Sequence, residues 1–476
     1  MEIVANNLVE EEMVVQADST GGRRGGPVPS RPRTPMTLVT GLDREAVART
    51  ADALAMAGTT LVHHDLSSLP SGRVMRTTRS IDFDGVERCD IREISLEHGC
   101  VSCTLRIDLL PLLRRLHQRT TVERIVLQLD PLIEPEALCW AIEHVVCSDM
   151  PGFLDAPAGD DVVVDATIAC VSEMDWLGAA SGDVTLDEAG VADVEDERTL
   201  AQVAVGQVAF ADALVLAGAD PTFRDAWTSA RLMEVLRRLA PSAPIVMELP
   251  QRPIRPGIVM QLLRAIGPTA RRGAIYGPHD PLLRGAPALT TECGVTLALF
   301  ESDRPFHPAR LHDALDHLLE GVICSRGRLW LATRSDDVFW LESAGGALHV
   351  EEAGRWLAAM SADERAEVDP ERLAHAAVRW DERFGDRHSA MTILAHRADT
   401  TEIVQTLKAA TLTDAEMSEG PDAWRTYADP FGTWHEEPCA DTVAPDPGLL
   451  SITDRLEAEG NAPDGRDSDS EKGDHS

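Results

Sequence analysis

The amino-acid sequence predicts an α/β protein with two domains: a parallel-sheet domain over residues 36–267 and a smaller α+β domain over residues 293–434. Three observations support this prediction. A chain of 476 residues is long enough to form more than one hydrophobic core. Apolar runs of strand length alternate with helical patterns through the first half, which is typical of a parallel sheet. A stretch rich in Pro, Gly and Arg, residues 268–292, then reads as a linker between the domains.

Composition argues against several classes of function. The formal net charge of −35 repels phosphate backbones, so we expect no DNA binding. No apolar run is long enough to cross a bilayer, and acidic residues stand near the N-terminus where a signal peptide would be basic. The nine cysteines are odd in number and scattered, which suits a reducing compartment better than a disulfide framework. We therefore expect a cytoplasmic protein that does not bind membranes.

The two ends of the chain and its basic residues carry further signals. Residues 1–35 are rich in Gly and Pro and are predicted to be a disordered leader, and residues 435–476 an acidic disordered tail. Lys408 and Lys472 are the only lysines, so nearly every basic residue is arginine. This bias suggests a genome rich in G and C, such as that of an actinobacterium.

The turn after the first strand is where a P-loop would lie. The strand of residues 36–41 precedes a helical pattern over 44–57 and a second strand over 59–64. In the motif GxxxxGK[ST], backbone amides hold phosphates, the lysine neutralises them and the hydroxyl binds Mg²⁺. Here the turn reads Gly41-Leu42-Asp43-Arg44-Glu45-Ala46, without the second glycine or the lysine. Arg44 is a candidate to replace the lysine charge, but Asp43 and Glu45 would repel phosphate.

Two cysteines stand at the start of the next helical pattern. Cys100 and Cys103 precede a helix predicted over residues 104–119, and a helix N-terminus favours the thiolate form that binds Zn²⁺. Structural zinc sites usually have four ligands, so further ligands are needed. The candidates are at the end of the second strand: His63, His64 and Asp65. The alternatives stay open: a tight turn of packed cysteines and a solvated strand end.

This cysteine segment resembles the GCxCC-TLR-x-DLL segment of the CobW family, which are P-loop GTPases and metallochaperones. Residues 99–110 match that pattern except that Ser102 replaces the middle cysteine. Residues 304–311 match the RPFHPxRL signature of the family's C-terminal domain, and residues 380–387 match its W-D-x-x-x-G-D-R turn. The resemblance covers about residues 36–434. It implies a degenerate P-loop NTPase-like domain followed by a CobW C-terminal domain.

The resemblance also locates the family's other nucleotide motifs. The guanine-specifying NKxD motif corresponds to residues 217–220, where only Asp220 matches. Asp130 follows the strand over residues 122–129, where the family has a nucleotide-sensing segment; it either senses a metal or caps the next element. Gly41, Arg44, Asp130 and Asp220 are therefore the candidates for a degenerate nucleotide site, and no residue is assigned a catalytic role. The loss of both motifs argues against GTP and Mg²⁺ as cofactors.

The missing lysine and the CxxC spacing resemble an actinobacterial branch of the family whose members recruit a ribosome hibernation factor in zinc starvation. That resemblance implies a zinc-responsive protein whose partners are a ribosome hibernation-promoting factor and the small ribosomal subunit. An acidic protein docks more readily on a basic protein than on ribosomal RNA. A metallochaperone GTPase for zinc or cobalt is the alternative, and a protein whose cysteines only pack is a third hypothesis.

Overall fold

The computed structural model describes residues 31–96, 100–192, 196–218, 225–249 and 251–433. Most of the predicted leader and the predicted acidic tail lie outside these ranges. The leader prediction was wrong at its end, because the first strand already begins at Thr34. Thr34 and Pro35 pair with Val162 and Val163 of a neighbouring strand, and the Thr34 hydroxyl lies 2.9 Å from His117 Nδ1.

The N-terminal lobe alternates strands and helices. Its strands are β1 (Thr34–Thr40), β2 (Thr59–Asp65), β3 (Arg73–Ile81), β4 (Glu87–Ser95), β5 (Arg124–Gln128), β6 (Val146–Cys147), β7 (Ala156–Pro157), β8 (Val162–Ser172), β9 (Ala213–Ala217) and β10 (Ile245–Glu248). Its helices are α1 (Arg44–Leu54), α2 (Val101–Thr104), α3 (Leu110–His117), α4 (Pro135–His144), α5 (Trp176–Ala179), α6 (Leu200–Phe210), α7 (Ala226–Leu239) and α8 (Pro256–Ala265).

Eight of these strands form one sheet in the order β10-β9-β8-β1-β5-β2-β3-β4. The pairings from β10 to β2 are parallel, and β3 and β4 add an antiparallel hairpin at one side. Helices cover both faces of the parallel part, so β1 carries buried residues on both faces. The parallel strands end together at what we call the carboxyl edge, where open α/β sheets bind ligands.

The helix after the cysteines is not a plain α-helix. A π-helical turn, Leu105–Leu109, joins α2 to α3. The apolar positions of the pattern are all buried as predicted: Leu105, Leu109, Leu112, Leu113 and Leu116. The π turn also places Asp108 in the interior, where it is 6% exposed. Such turns occur often at functional sites.

The C-terminal lobe contains β11 (Thr296–Ser302), β12 (Val322–Leu329), β13 (Asp337–Ala344), β14 (Ala347–Arg355), β15 (Ser389–Ala395), α9 (Pro308–Leu315), α10 (Ala362–Glu367), α11 (Pro370–Arg379), α12 (Thr400–Ala410), α13 (Asp414–Glu419) and α14 (Pro421–Trp424). Its strands form an antiparallel sheet in the order β11-β15-β12-β13-β14. The predicted fold class, a parallel α/β domain followed by a smaller α+β domain, is confirmed.

The two lobes share one hydrophobic cluster. Ala201 and Val205 of α6 pack in the same buried cluster as Ile323 of β12 and Leu394 of β15. The turn between β13 and β14 also reaches the first lobe, where Gly346 N–H donates to the carbonyl of Gly182 at 3.0 Å. Among the described residues, no helix is both long and apolar enough to cross a membrane.

Candidate nucleotide and metal site

The turn between β1 and α1 is too short to surround a phosphate. Helix α1 begins at Arg44, so Gly41, Leu42 and Asp43 alone connect it to β1. The Asp43 carboxylate accepts the Ala46 N–H at 2.9 Å and caps the helix. Counting the P-loop motif from Gly41 places its lysine at Val47, which is 1% exposed and packed in the core. An internal carboxylate therefore binds the amide at the helix terminus where phosphate would bind.

Gly41 is required by close packing. A Cβ atom at this position would lie 2.5 Å from the Cys170 carbonyl oxygen of β8 and 3.0 Å from Val47 Cγ2. Both distances are shorter than ordinary contacts. The glycine that resembles the start of a P-loop thus lets α1 approach β8.

Arg44 is paired with Asp130, and both lie at the carboxyl edge. Arg44 Nη1 donates to Asp130 Oδ2 at 2.7 Å, and Nη2 donates to the Val191 carbonyl at 3.2 Å. Asp130 is 1% exposed, and its other oxygen accepts the Leu132 N–H at 3.1 Å. The structure therefore brings Gly41, Arg44 and Asp130 together, but the last two neutralise each other. Asp220 lies outside the described residues.

A second ion pair at the same edge was missed by the sequence analysis. Arg49 donates from Nε and Nη2 to the two carboxylate oxygens of Glu248, each at 3.0 Å. Glu248 ends β10 and is 5% exposed. The hydrogen bond to Glu248 raises the pKa of Arg49. A carboxylate at the end of a strand could have identified Glu248 as a site candidate. The sequence analysis used this criterion for Asp65 but not for Glu248.

The cysteine turn, Cys100–Cys103, opens the helical segment that continues to His117. Cys100 is the N-cap of α2, and its Sγ accepts the Cys103 N–H at 3.2 Å. Both cysteines are half-buried, and Cys103 packs against the core. The turn thus brings two thiols, a ligand type that Zn²⁺ prefers, to the start of one helical segment. The three residues before this turn, 97–99, lie outside the described residues.

His64 has a different partner from the one considered for it. Its Nε2 lies 2.8 Å from Asp108 Oδ2, and Arg76 Nη1 donates to the other oxygen of Asp108 at 2.5 Å. All three side chains are buried. Burial alone would raise the pKa of Asp108, but the hydrogen bonds and charges of His64 and Arg76 lower it. His64 thus holds β2 against the π turn.

His63 and Asp65 lie beside this network at the end of β2. His63 Nδ1 is 3.0 Å from the Gln128 carbonyl, a contact that leaves Nε2 as the ring nitrogen available to a ligand. Asp65 accepts the Ser67 N–H at 2.9 Å. Burial raises the pKa of Asp65, but Ser67 and the charges of His63 and Arg44 lower it overall. Within the described parts of the chain, no three His, Cys, Asp or Glu side chains are grouped closely enough to hold a metal.

Comparison with known families identifies the class of protein. Residues 75–247 match the CobW/HypB/UreG nucleotide-binding domain, and residues 295–411 match the cobalamin synthesis protein CobW C-terminal domain. The first match begins after β1, the closed turn and α1. The chain belongs to the CobW family, as its sequence resemblance implied.

Individual relatives refine this placement. A Mycobacterium tuberculosis protein named zinc chaperone Rv0106 is 46% identical over 407 residues, which is 86% of this chain and 95% of the relative. Zinc-regulated GTPase metalloprotein activator 1 of Dictyostelium discoideum is 23% identical over 348 residues, 71% of this chain and 70% of the relative. The match to the Zn(II)-bound YjiA GTPase from E. coli covers 80% of this chain and 100% of that chain at 13% identity, with a TM-score of 0.34.

Proposed function

We propose that this protein binds and handles zinc through the cysteine turn and works without a GTP cycle. One observation carries the proposal: the place for phosphate is closed by the chain's own charges, whereas the thiol pair is kept at a helix N-terminus. Asp43 caps α1, and Asp130 neutralises Arg44. Two relatives carry zinc in their names, which supports zinc as the metal.

We infer that zinc binding draws His63 and Asp65, at the end of β2, towards the two thiolates. Strands β2 and β4 run in the same direction, because each pairs antiparallel with β3, so both end at the same edge. Asp108 follows Cys103 by five residues, about 7.5 Å along a helix, and contacts His64, so the cysteine turn lies near this end of β2, while His63 and Asp65 alternate with His64 on the strand. Two thiolates with an imidazole or carboxylate form a donor set that suits Zn²⁺.

Zinc titration against a chromophoric chelator tests the metal half of the proposal. We expect the Cys100→Ser, Cys103→Ser double variant to bind zinc on the order of 100-fold more weakly or worse, since outer-shell changes alone cost 10–100-fold. Cys89→Ser removes an exposed thiol from β4 and serves as the matched control, with affinity unchanged. Equal affinity of the double variant and the wild type would overturn the metal role of the turn.

Equilibrium binding of GTP with Mg²⁺, with and without zinc, tests the nucleotide half. We expect no binding at millimolar GTP, because the helix terminus is capped and the turn is closed. Binding at micromolar GTP would contradict this and restore the family's GTPase cycle. An Arg44→Gln variant would then test whether Arg44 separates from Asp130 and binds the phosphate, because GTP affinity should fall in that case.

A finer role follows from the sequence resemblance: recruitment of a ribosome hibernation-promoting factor to the small ribosomal subunit when zinc is scarce. The closed phosphate site favours recruitment over a metallochaperone GTPase for zinc or cobalt, because recruitment needs no hydrolysis. A net charge of −35 also suits a basic protein partner.

Affinity purification of the tagged full chain from zinc-replete and zinc-depleted cells tests this role. We expect the hibernation factor and small-subunit proteins to co-purify only after zinc depletion. The same partners at the same yield in both conditions would remove the basis for zinc-dependent recruitment. Comparison with the double cysteine variant shows whether the turn is the zinc sensor.

A further inference from the structure

A cavity of about 370 Å³ lies in the C-terminal lobe, away from the cysteine turn. Three neighbouring strands form one side, where the register places Glu301, Ala390 and Arg328 side by side. His279 of the linker and Arg372 of α11 line the other sides. This volume is within the range of small-molecule sites. We call it the arginine cavity.

Two arginines of the cavity have no carboxylate partner among the described residues. Arg328 donates to the carbonyls of His279 and Asp280 at 3.2 and 3.0 Å, and Arg372 donates to the carbonyl of Arg355 at 2.6 Å. Neither forms an ion pair with any residue that the structure describes. The charges of Asp280 and Glu301 act on Arg328 and that of Asp386 acts on Arg372, but none of these carboxylates lies within ion-pair distance of either guanidinium.

The carboxylates that line the cavity, Glu301 and Asp386, already have other partners, and Arg379, the partner of Glu301, also lines the cavity. Glu301 pairs with Arg379 at 2.5 Å. The two oxygens of Asp386 accept the backbone N–H groups of Leu357 and Ala358 at 2.9 and 3.0 Å. Neither carboxylate therefore hydrogen-bonds to Arg328 or Arg372.

Four nitrogen atoms of lining residues are buried without a hydrogen-bond partner in the described structure: Arg328 Nε, Arg372 Nε, His279 Nε2 and Trp356 Nε1. Trp356 is 1% exposed. A buried polar group without a partner costs about 1–3 kcal/mol, so such groups are expected to meet a partner. Burial and the guanidiniums of Arg372 and Arg328 lower the pKa of His279 to about 3. The lining residues include three arginines, Arg328, Arg372 and Arg379, and two carboxylates, Glu301 and Asp386, so their formal charge is positive.

We propose that the arginine cavity binds a small organic anion, with a carboxylate or phosphate group attached to an apolar or aromatic body. Guanidinium groups bind both oxyanions through paired N–H donors. Leu299 and Val378 at the rim are 40% and 86% exposed and offer apolar contact to the rest of the ligand. Helix α11 buries none of its own residues, which leaves space beneath it. The site uses no residue of the cysteine turn and is independent of the function proposed above.

Fluorescence titration of the full chain with 8-anilinonaphthalene-1-sulfonate, an aromatic anion, tests the proposal. We expect saturable binding at one site, weakened about 10-fold or more in Arg372→Gln because a charge-assisted hydrogen bond is lost. Arg365→Gln on α10 removes the same charge from a residue that does not line the cavity, and its affinity should equal that of the wild type. Equal binding by the Arg372→Gln variant would overturn the proposal.

A second variant and two competing anions test the size of the cavity and the chemistry of its ligand. Ala376→Phe fills the cavity from α11 without changing charge, and we expect it to abolish dye binding while the circular dichroism spectrum stays unchanged. Displacement of the dye by inorganic phosphate points to a phosphate-bearing ligand, and displacement by benzoate to a carboxylate. If neither competitor displaces the dye, the oxyanion assignment is wrong.

Discussion

Arginine side chains lie at two places where an oxyanion would fit, the carboxyl edge of the N-terminal sheet and the arginine cavity of the C-terminal lobe. At the carboxyl edge, Arg44 meets Asp130 and Arg49 meets Glu248. In the arginine cavity, Arg328 and Arg372 meet only backbone carbonyls. This difference shows that an arginine is available to an anionic ligand only when no carboxylate of the chain is paired with it. At the carboxyl edge, Asp130 and Glu248 occupy the positions that an anion would take.

The largest expected effect comes from the buried network beside the carboxyl edge. Asp108→Ala leaves His64 and Arg76 buried without their partner, so we expect the free energy of unfolding to fall by about 3–5 kcal/mol. Urea denaturation measures this change. Asp90→Ala removes an exposed ion pair with Arg92 and should cost at most about 1 kcal/mol. If both variants lost a similar free energy of unfolding, the buried contacts of Asp108 with His64 and Arg76 would not stabilise the fold more than an exposed ion pair does.

The pH dependence of stability tests the same carboxylate. The pKa of Asp108 is lowered in the folded protein, so the unfolded chain binds more protons in acid. Its contribution is therefore present at neutral pH and is lost as the pH falls below the ordinary aspartate value of about 4. Between about pH 6 and about pH 3 we expect stability to fall less in Asp108→Asn than in the wild type. Parallel curves would contradict this.

A smaller loss is expected at the second ion pair of the carboxyl edge. Glu248→Gln keeps the side-chain shape but removes its charge, and Arg49 is 42% exposed and regains water. We expect the free energy of unfolding to fall by about 1–2 kcal/mol in chemical denaturation. Glu45→Gln is the control, since Glu45 is 90% exposed and lies 3.6 Å from Arg49; its cost should be about 0.5 kcal/mol or less.

The smallest effect is expected in the arginine cavity. Arg372→Gln loses a hydrogen bond to the Arg355 carbonyl but also removes a half-buried charge that has no ion-pair partner among the described residues. These changes oppose each other, so we expect thermal and urea stability to change by less than about 1 kcal/mol. A loss above about 2 kcal/mol would show that the charge of Arg372 is stabilised by a partner in the folded protein, as the charges of Arg44 and Arg49 are. The contrast between the two places would then be wrong.

The sequence predicted the elements better than it predicted the contacts among their ends. The missing lysine was visible at once, but the pairing of Arg44 with Asp130 joins positions 86 residues apart. The leucine spacing after Cys103 fits an ordinary α-helix, so nothing in it predicts the π turn that buries Asp108. Strands β2 and β10 both end in polar residues, so their sequences look alike. Only the structure shows that Glu248 forms an ion pair with Arg49 whereas His63 contacts a backbone carbonyl.

The arginine cavity was beyond the sequence for the same physical reason. Arg328 lies in β12, but its surroundings come from residues of the linker and from α11. The linker was predicted from its Pro and Gly content, which says where a chain bends and not which surface it covers. Contacts of this kind are decided by tertiary packing.

The hydrophobic cluster shared by α6 and the C-terminal sheet has a consequence for how the chain evolves and unfolds. Cutting the chain within residues 268–292 would strip Ile323 and Leu394 of their cover and leave Ala201 and Val205 in water. Each half keeps clusters of its own but loses this shared one, so we expect both halves to be less stable apart than together. If recombination replaces one lobe by the corresponding lobe of a distant relative, the new pair must again have an α6 surface that fits the C-terminal sheet.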